Sequence, residues 1–168
     1  MQIAIISDIH DNITNLTKVL DYCREHKIEK TICCGDLASL ETLDFLNDNF
    51  QKEIFFVFGN MDDDYLRNYP FENNIYKHTK IFKDFGEAEI EKQKIAFVHK
   101  PEPAKNLCET GKYDFVFHGH THKPWTEKIN NRTILNPGNV ANQIYPPTFA
   151  VWHTENNKFD LIKINELV

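Results

Sequence analysis

No stretch of this chain stays apolar for the roughly 18 residues that a membrane-crossing helix needs, so no membrane partner is expected. Basic charge is also in short supply. Lys and Arg number 19 against 25 Asp and Glu, a net charge of −6. An extended nucleic-acid track or an anionic membrane surface requires a basic face, and this balance argues against both. The opening MQIAIISDIHDN has no positively charged region ahead of its apolar run, unlike a secretory signal peptide. A cytoplasmic location is the expectation. The cysteines Cys23, Cys33, Cys34 and Cys108 form no CxxC pair and read as reduced, buried thiols. Repeats, low-complexity tracts and linkers are absent, so residues 1–168 read as one domain.

What is present begins with apolar runs and amphipathic stretches in alternation. Residues 2–6 read as a buried strand and 13–26 as a helix, with Ile13, Leu16, Val19, Leu20 and Cys23 at helical spacing and Asn12 as N-cap. The cycle repeats with a strand at 30–34, a helix at 40–47, a strand at 53–58 and a short helix near 63–67. This alternation predicts a parallel sheet with helices on its faces. The second half is richer in strands: 81–85, 87–91, 94–99 and 113–118, with a helix at 103–110. Two hairpins follow, 125–129 with 133–135 across Asn130-Asn131-Arg132, and 148–154 with 158–164 across Glu155-Asn156-Asn157. Two facing sheets with helices outside would bury both halves.

Polar clusters stand where these strands end. Asp8 and His10 follow the first, Asp36 the second and Asn60 the third; His99 follows a later strand, and His118, His120 and His122 lie at or after another. Asp8, Asp36 and Asn60 are spaced by 28 and 24 residues, about one strand–helix unit each. Loops at the carboxyl ends of neighbouring strands converge, which is where α/β sheets bind ligands. Taken singly, each cluster reads as a cap, a turn or an ordinary histidine; the Gly119-His120-Thr121-His122 run is the least ordinary. Together they offer carboxylate, imidazole and amide donors without thiolate, a set suited to Mn²⁺, Fe²⁺, Zn²⁺ or Ni²⁺. Seven donors exceed one tetrahedral ion and suit two ions ~3.5–4 Å apart, as in phosphatases and nucleases.

The ordered set Asp8-Ile9-His10, Gly35-Asp36, Gly59-Asn60, His99 and Gly119-His120-Thr121-His122 resembles the motifs of the calcineurin-like metallophosphoesterase superfamily. It is most similar to its small single-domain prokaryotic phosphodiesterases. Asn136-Pro137-Gly138-Asn139-Val140 resembles a further loop of those members, and the resemblance runs from about residue 3 to 165. It implies an α/β fold, a four-layer α-β-β-α sandwich of two facing, mainly mixed sheets flanked by helices. It also implies a binuclear phosphoesterase, more a phosphodiesterase than a phosphomonoesterase, in which a hydroxide bridging two divalent ions, Mn²⁺ foremost, attacks phosphorus in line. Position by position, one ion would take Asp8, His10, Asp36 and His122, and the other Asp36, Asn60, His99 and His120. Asp36 would be shared. Asp36, Asn60 and His120 would take part in catalysis, the last two by stabilising charge on the phosphate.

The chain departs from the family pattern in places. Met61 stands where many relatives carry a histidine after the Gly-Asn pair, and a thioether donates no proton. Good turnover is therefore expected on activated aryl diesters and poor turnover on basic leaving groups. Lys100, where relatives usually have Gly, is a candidate phosphate contact beside Asn60. Asn12 and Asp62 lie next to donors and read equally as supports or caps. Asn139 replaces a serine and receives no role. Tyr65, Tyr69, Phe71 and Tyr76 read as ordinary packing or as an exposed lid, stacking wall or dimer face, and residues 71–80 are a candidate homo-oligomer contact.

The partner expected is a small phosphate ester. The alternative on the same fold is a non-catalytic scaffold like the retromer subunit, whose metal site is degraded; the full donor set here favours the enzyme. A zinc hydrolase of the β-lactamase-like fold would want H-x-H-x-D-H, and Lys123 follows His122 instead.

Overall fold

The central strands are buried on both faces, and their side chains, pointing alternately to either side, divide the interior into three apolar layers. A computed structural model describes residues 1–71 and 76–167. The first sheet has the order β11-β10-β1-β2-β3-β4, where β1 is Gln2–Ile6, β2 Lys30–Cys33, β3 Glu53–Val57, β4 Thr79–Phe82, β10 Thr148–His153 and β11 Lys158–Lys163. Strands β1 to β4 run parallel, and β10 and β11 close the other edge antiparallel. The second sheet is mixed, in the order β5-β6-β7-β9-β8, with β5 Gly86–Ile90, β6 Gln93–Phe97, β7 Phe115–Phe117, β8 Trp125–Ile129 and β9 Arg132–Asn136.

Successive strand residues point to opposite faces. Ala4, Ile6, Cys33, Ile54 and Phe56 meet Leu16, Val19, Leu20, Leu43 and Leu46 of the helices α1 (Ile13–Glu25) and α2 (Leu40–Asn49). Their neighbours Ile3, Ile5, Ile32, Cys34 and Phe55 face Ile95, Phe97, Phe115 and Phe117 of the second sheet. Ala96, Val98, Val116 and Ile134 then pack on Ala104 and Cys108 of α4 (Pro101–Glu109). The result is the expected α-β-β-α sandwich. The adjacent Cys33 and Cys34 belong to different layers, and all four thiols are free and buried. Asn12 caps α1 by accepting the Asn15 N–H at 3.0 Å. A short helix α3 spans Asp64–Asn68.

Several boundaries differ from the sequence expectation. The strand placed at 81–85 is Thr79–Phe82, because parallel pairing with β3 sets its register, Ile54 opposite Thr79 and Val57 opposite Phe82. Phe85 is left 45% exposed beyond it. The helix expected from 103 begins at Pro101, since a proline at the first helical position loses no hydrogen bond. The strand expected at 113–118 keeps only the three residues that both neighbours pair. The first hairpin turn is Asn130-Asn131, both at positive φ, and Arg132 belongs to β9 opposite Ile129. Of the four aromatics, Tyr65 is exposed, whereas Tyr76 is buried and Tyr69 and Phe71 are half-buried against the α1–α2 layer, the ordinary-packing alternative. Residues 72–75 of the candidate oligomer contact lie outside the described residues. No described helix is long and apolar enough to cross a membrane.

Candidate metal centre

The carboxyl ends of β1, β2 and β3 abut those of β6 and β7, and the loops leaving them are tied together by main-chain bonds. The amides of Ile9 and His10 both donate to the Asp36 carbonyl, at 2.8 and 3.0 Å, and Gly119 N–H donates to the His99 carbonyl at 3.0 Å. The sheets are linked at this rim by the His120 N–H, which reaches Asp8 Oδ2 at 3.0 Å. Glycines are required here by close approach. A Cβ on Gly59 would sit 2.1 Å from Asp36 Oδ1, and one on Gly119 would sit 1.8 Å from Ser7 Oγ.

All seven predicted donors come together at this rim. Asp8, His10 and His122 offer atoms within 4.8 Å of one another, as do Asp36, His99 and His120, each set able to hold a metal ion. His10 Nε2 and His122 Nε2 are 3.3 Å apart. His99 Nε2 lies 2.9 Å from Asn60 Oδ1, 3.1 Å from Asp36 Oδ2 and 3.2 Å from His120 Nδ1. Asp36 stands between the sets, its Oδ2 also 3.8 Å from His10 Nε2. Asp8, His10, Asp36, His120 and His122 all adopt positive φ, from 45° to 70°. Left-handed backbone at non-glycine residues is uphill, and it persists where surroundings over-determine it, often at functional sites.

Hydrogen bonding orients the rings. A carbonyl can only accept, so His99 donates Nδ1–H to Cys34 O at 2.9 Å and His122 donates Nδ1–H to Gln143 O at 3.2 Å. Both rings therefore aim Nε2 at the cluster, as metal-ligating imidazoles do. Burial would raise the Asp36 carboxyl, but His99, the Met61 amide at 2.7 Å and His10 outweigh it and hold it below its ordinary value. Burial likewise opposes charge on His99, and Asp36 overcomes it and raises the imidazole. Contact with Asp8 raises His122. His120 is pushed down, first by burial and then by His99. Lone pairs crowded this closely demand positive charge, from protons or from metal cations. Asp8 Oδ1, fully buried and 3.3 Å from His122 Nε2, has no hydrogen-bond partner among the described residues. That is the surrounding a carboxylate ligand would have, and the donor set fits a divalent cation.

A model of the calcineurin-like phosphoesterase superfamily domain matches residues 1–157. The chain belongs to this superfamily. A phosphodiesterase of Methanocaldococcus jannaschii is 28% identical over 162 residues, covering 95% of this chain and 96% of that protein. A solved archaeal phosphodiesterase superposes with a TM-score of 0.87 at 28% identity, over 97% of this chain and 99% of that one. Vacuolar protein sorting 29 of Cryptosporidium parvum, at 20% identity, shares the fold with a TM-score of 0.69 over 96% of this chain and 95% of its own. A metal-dependent phosphoesterase domain is therefore in hand, with candidate metal-binding residues assembled in it.

Around this phosphoesterase centre, the supporting residues resolve. Asp62 is buried and accepts the amides of Gly59 at 2.6 Å, Ala38 at 2.9 Å and Asp36 at 3.2 Å, so it shapes both donor loops. Burial nevertheless raises its carboxyl. Asn12 both caps α1 and donates to Ala141 O at 2.9 Å. Asn139, without a role in the sequence, is buried and ties His122 O and Tyr145 O to the Gln143 amide. Lys100 is exposed at the N-cap of α4, where its charge helps to depress His120. His118 stays outside the donor sets, bound through Nδ1 to Gly119 O at 3.0 Å. Gln143 escaped sequence reasoning because it acts through its carbonyl, which carries no side-chain signature.

Proposed function

We propose that this chain is a phosphodiesterase with a binuclear metal centre. Asp8, His10, Asp36 and His122 would hold one divalent ion; Asp36, Asn60, His99 and His120 would hold the second. The observation carrying this reading is the pair of donor sets with the Asp36 carboxylate between them. Two bound divalent ions, Mn²⁺ foremost with Fe²⁺, Zn²⁺ or Ni²⁺ as alternatives, would supply Lewis acidity, lowering the pKa of bound water towards ~7 and neutralising phosphate charge.

The chain's own groups do the rest. Asp36, held below its ordinary value against burial by His99, the Met61 amide and His10, would contribute the shared negative charge. Cys34 O and Gln143 O keep His99 and His122 in the tautomers that leave Nε2 free to bind. His120 and Asn60 are at the exposed side of the cluster, placed to stabilise charge on non-bridging phosphate oxygens as it builds. Lys100, exposed beside His99, adds a point charge for the same oxygens.

Asp36→Ala is expected to lower turnover of bis-p-nitrophenyl phosphate by at least about 10²–10³-fold with added Mn²⁺, the range seen on removing electrostatic stabilisation, while circular dichroism stays native. Activity retained in that variant would refute the assignment. The fold is shared with vacuolar protein sorting 29, so metal analysis belongs beside the assay: stoichiometric metal with no hydrolysis would make the chain a binding scaffold.

A further inference from the structure

Helix α4 packs over β6, β7 and β9, while the neighbouring edge strand β8 stays exposed from Trp125 to Lys128. A groove of about 320 Å³ lies between α4 and β8, at the small end of the ~300–1,000 Å³ range of small-molecule sites. Side-chain alternation turns Trp125, Glu127 and Ile129 of β8 into it, beside Ile134 of β9. Two aromatic rings of the groove remain in contact with solvent, Trp125 at 44% and Tyr145 at 38% exposure. Clustered apolar surface of this kind marks ligand sites. Neither ring is loose. Trp125 meets the His118 ring edge-on, with centroids 6.3 Å apart. His118 is itself buried and tied by its Nδ1–H to Gly119 O at 3.0 Å. Tyr145 donates its N–H to Gln143 O at 2.7 Å and accepts at its carbonyl from Asn139 Nδ2 at 3.1 Å. Walls held before a ligand arrives lower the ordering cost of binding it.

Groove and metal centre share one loop. Thr121 lines the groove and separates His120 from His122 in the chain, and Lys123 and Trp125 follow within three residues. The Asn139 amide that holds Tyr145 O also donates to His122 O at 3.1 Å. His120 and Thr121 are both exposed, so the way from the donors to the groove lies over solvent-facing side chains.

We infer that this groove seats a flat aromatic arm of the phosphate ester, carried over Thr121 from the metal centre, with Trp125 as its specificity-determining residue. This deepens the phosphodiesterase reading and rests on it. A ring stacked on Trp125 gains π contact as well as buried area, and an alkyl arm gains only area. Lys105 and Lys123, both exposed, outnumber the one carboxylate of the groove, Glu127, so a neutral or anionic ring is favoured over a cationic one. No bond is made or broken there. The groove selects by holding the arm, independently of how well that arm departs.

The test uses the full chain reconstituted with Zn²⁺ and three phosphonates, which have no ester to hydrolyse: methylphosphonate, cyclohexylmethylphosphonate and benzylphosphonate. Calorimetry is expected to show benzylphosphonate binding about tenfold or more tighter than methylphosphonate, the worth of one stacked ring, with the cyclohexyl compound between them. The chain has two tryptophans, and Trp152 is fully buried, so benzylphosphonate should alter the emission of Trp125 and methylphosphonate should not. Trp125→Ala, at an exposed position that should not disturb folding, is expected to weaken benzylphosphonate about tenfold more than methylphosphonate. Trp125→Phe, which keeps a ring, should recover part of that loss. Equal affinity for the three phosphonates, or equal losses on them in Trp125→Ala, would overturn the groove assignment and leave the phosphodiesterase reading standing. No turnover of bis-p-nitrophenyl phosphate with any metal is the failure of that reading, and it takes the inference with it.

Discussion

Asp62 is placed to touch neither metal nor substrate, yet it accepts three buried amides, those of Gly59, Ala38 and Asp36. An unsatisfied buried donor costs about 1–3 kcal/mol. Asp62→Ala is expected to lose about 3–5 kcal/mol in urea unfolding, and Asp62→Asn, which keeps one acceptor oxygen, clearly less. Metal affinity measured by calorimetry should fall about 10–100-fold with Asp62→Ala, because the loops carrying Asp36 and Asn60 are shaped by that carboxylate. The donors themselves were legible in the sequence because each stands just past an apolar run. Their supports were legible only in part. Asp62 was recognisable as adjacent to Asn60, but the Gln143 carbonyl behind His122 and the Asn139 ties behind Gln143 join main-chain atoms far apart in sequence.

Strands β2, β3 and β4 start side by side, and one carboxylate there binds them. Glu53 at the head of β3 pairs with Lys30 on β2 and, at 2.6 Å, with Lys80 on β4. Burial tends to raise its carboxyl, but the two lysines outweigh burial and hold it below its ordinary value of 4.5. Its folded pKa is depressed, so the stability it contributes is present above about pH 4.5 and lost as pH falls through the lower folded value. Glu53→Gln is therefore expected to cost about 0.5–1 kcal/mol at pH 7, the range of partly exposed pairs. In urea titrations the gap between variant and parent should narrow as pH drops below about 4.5; a gap independent of pH would contradict the ion-pair origin. At this scale the sequence predicted most elements and missed some ends. Strand ends depend on a partner's length: β4 stops at Phe82 because β3 stops at Val57, and Phe85 lies beyond Lys83 and Asp84.

Across the molecule, the centre joins loops from both sheets, so a bound metal should stabilise the whole fold rather than one loop. Ligand held at 100 times its Kd adds about 2.7 kcal/mol, and in a chain of this size that moves Tm by roughly 5–10 °C. Mn²⁺ is expected to raise Tm by that amount and EDTA to reverse it, read by scanning calorimetry; a Tm indifferent to both would count against the metal centre. The amino-acid order alone determined the alternation of strand and helix, the candidate donors and their family pattern. Apolar periodicity and short motifs are local properties, and a strand of period two declares its two faces wherever it lies. Tertiary structure decided how the two sheets meet, how closely the members of each candidate donor set approach, and that Arg67, Lys83 and Lys100 share one cleft with Asn60. Those outcomes depend on side chains brought together by packing between layers, and no local pattern along the chain encodes a distance across the sandwich.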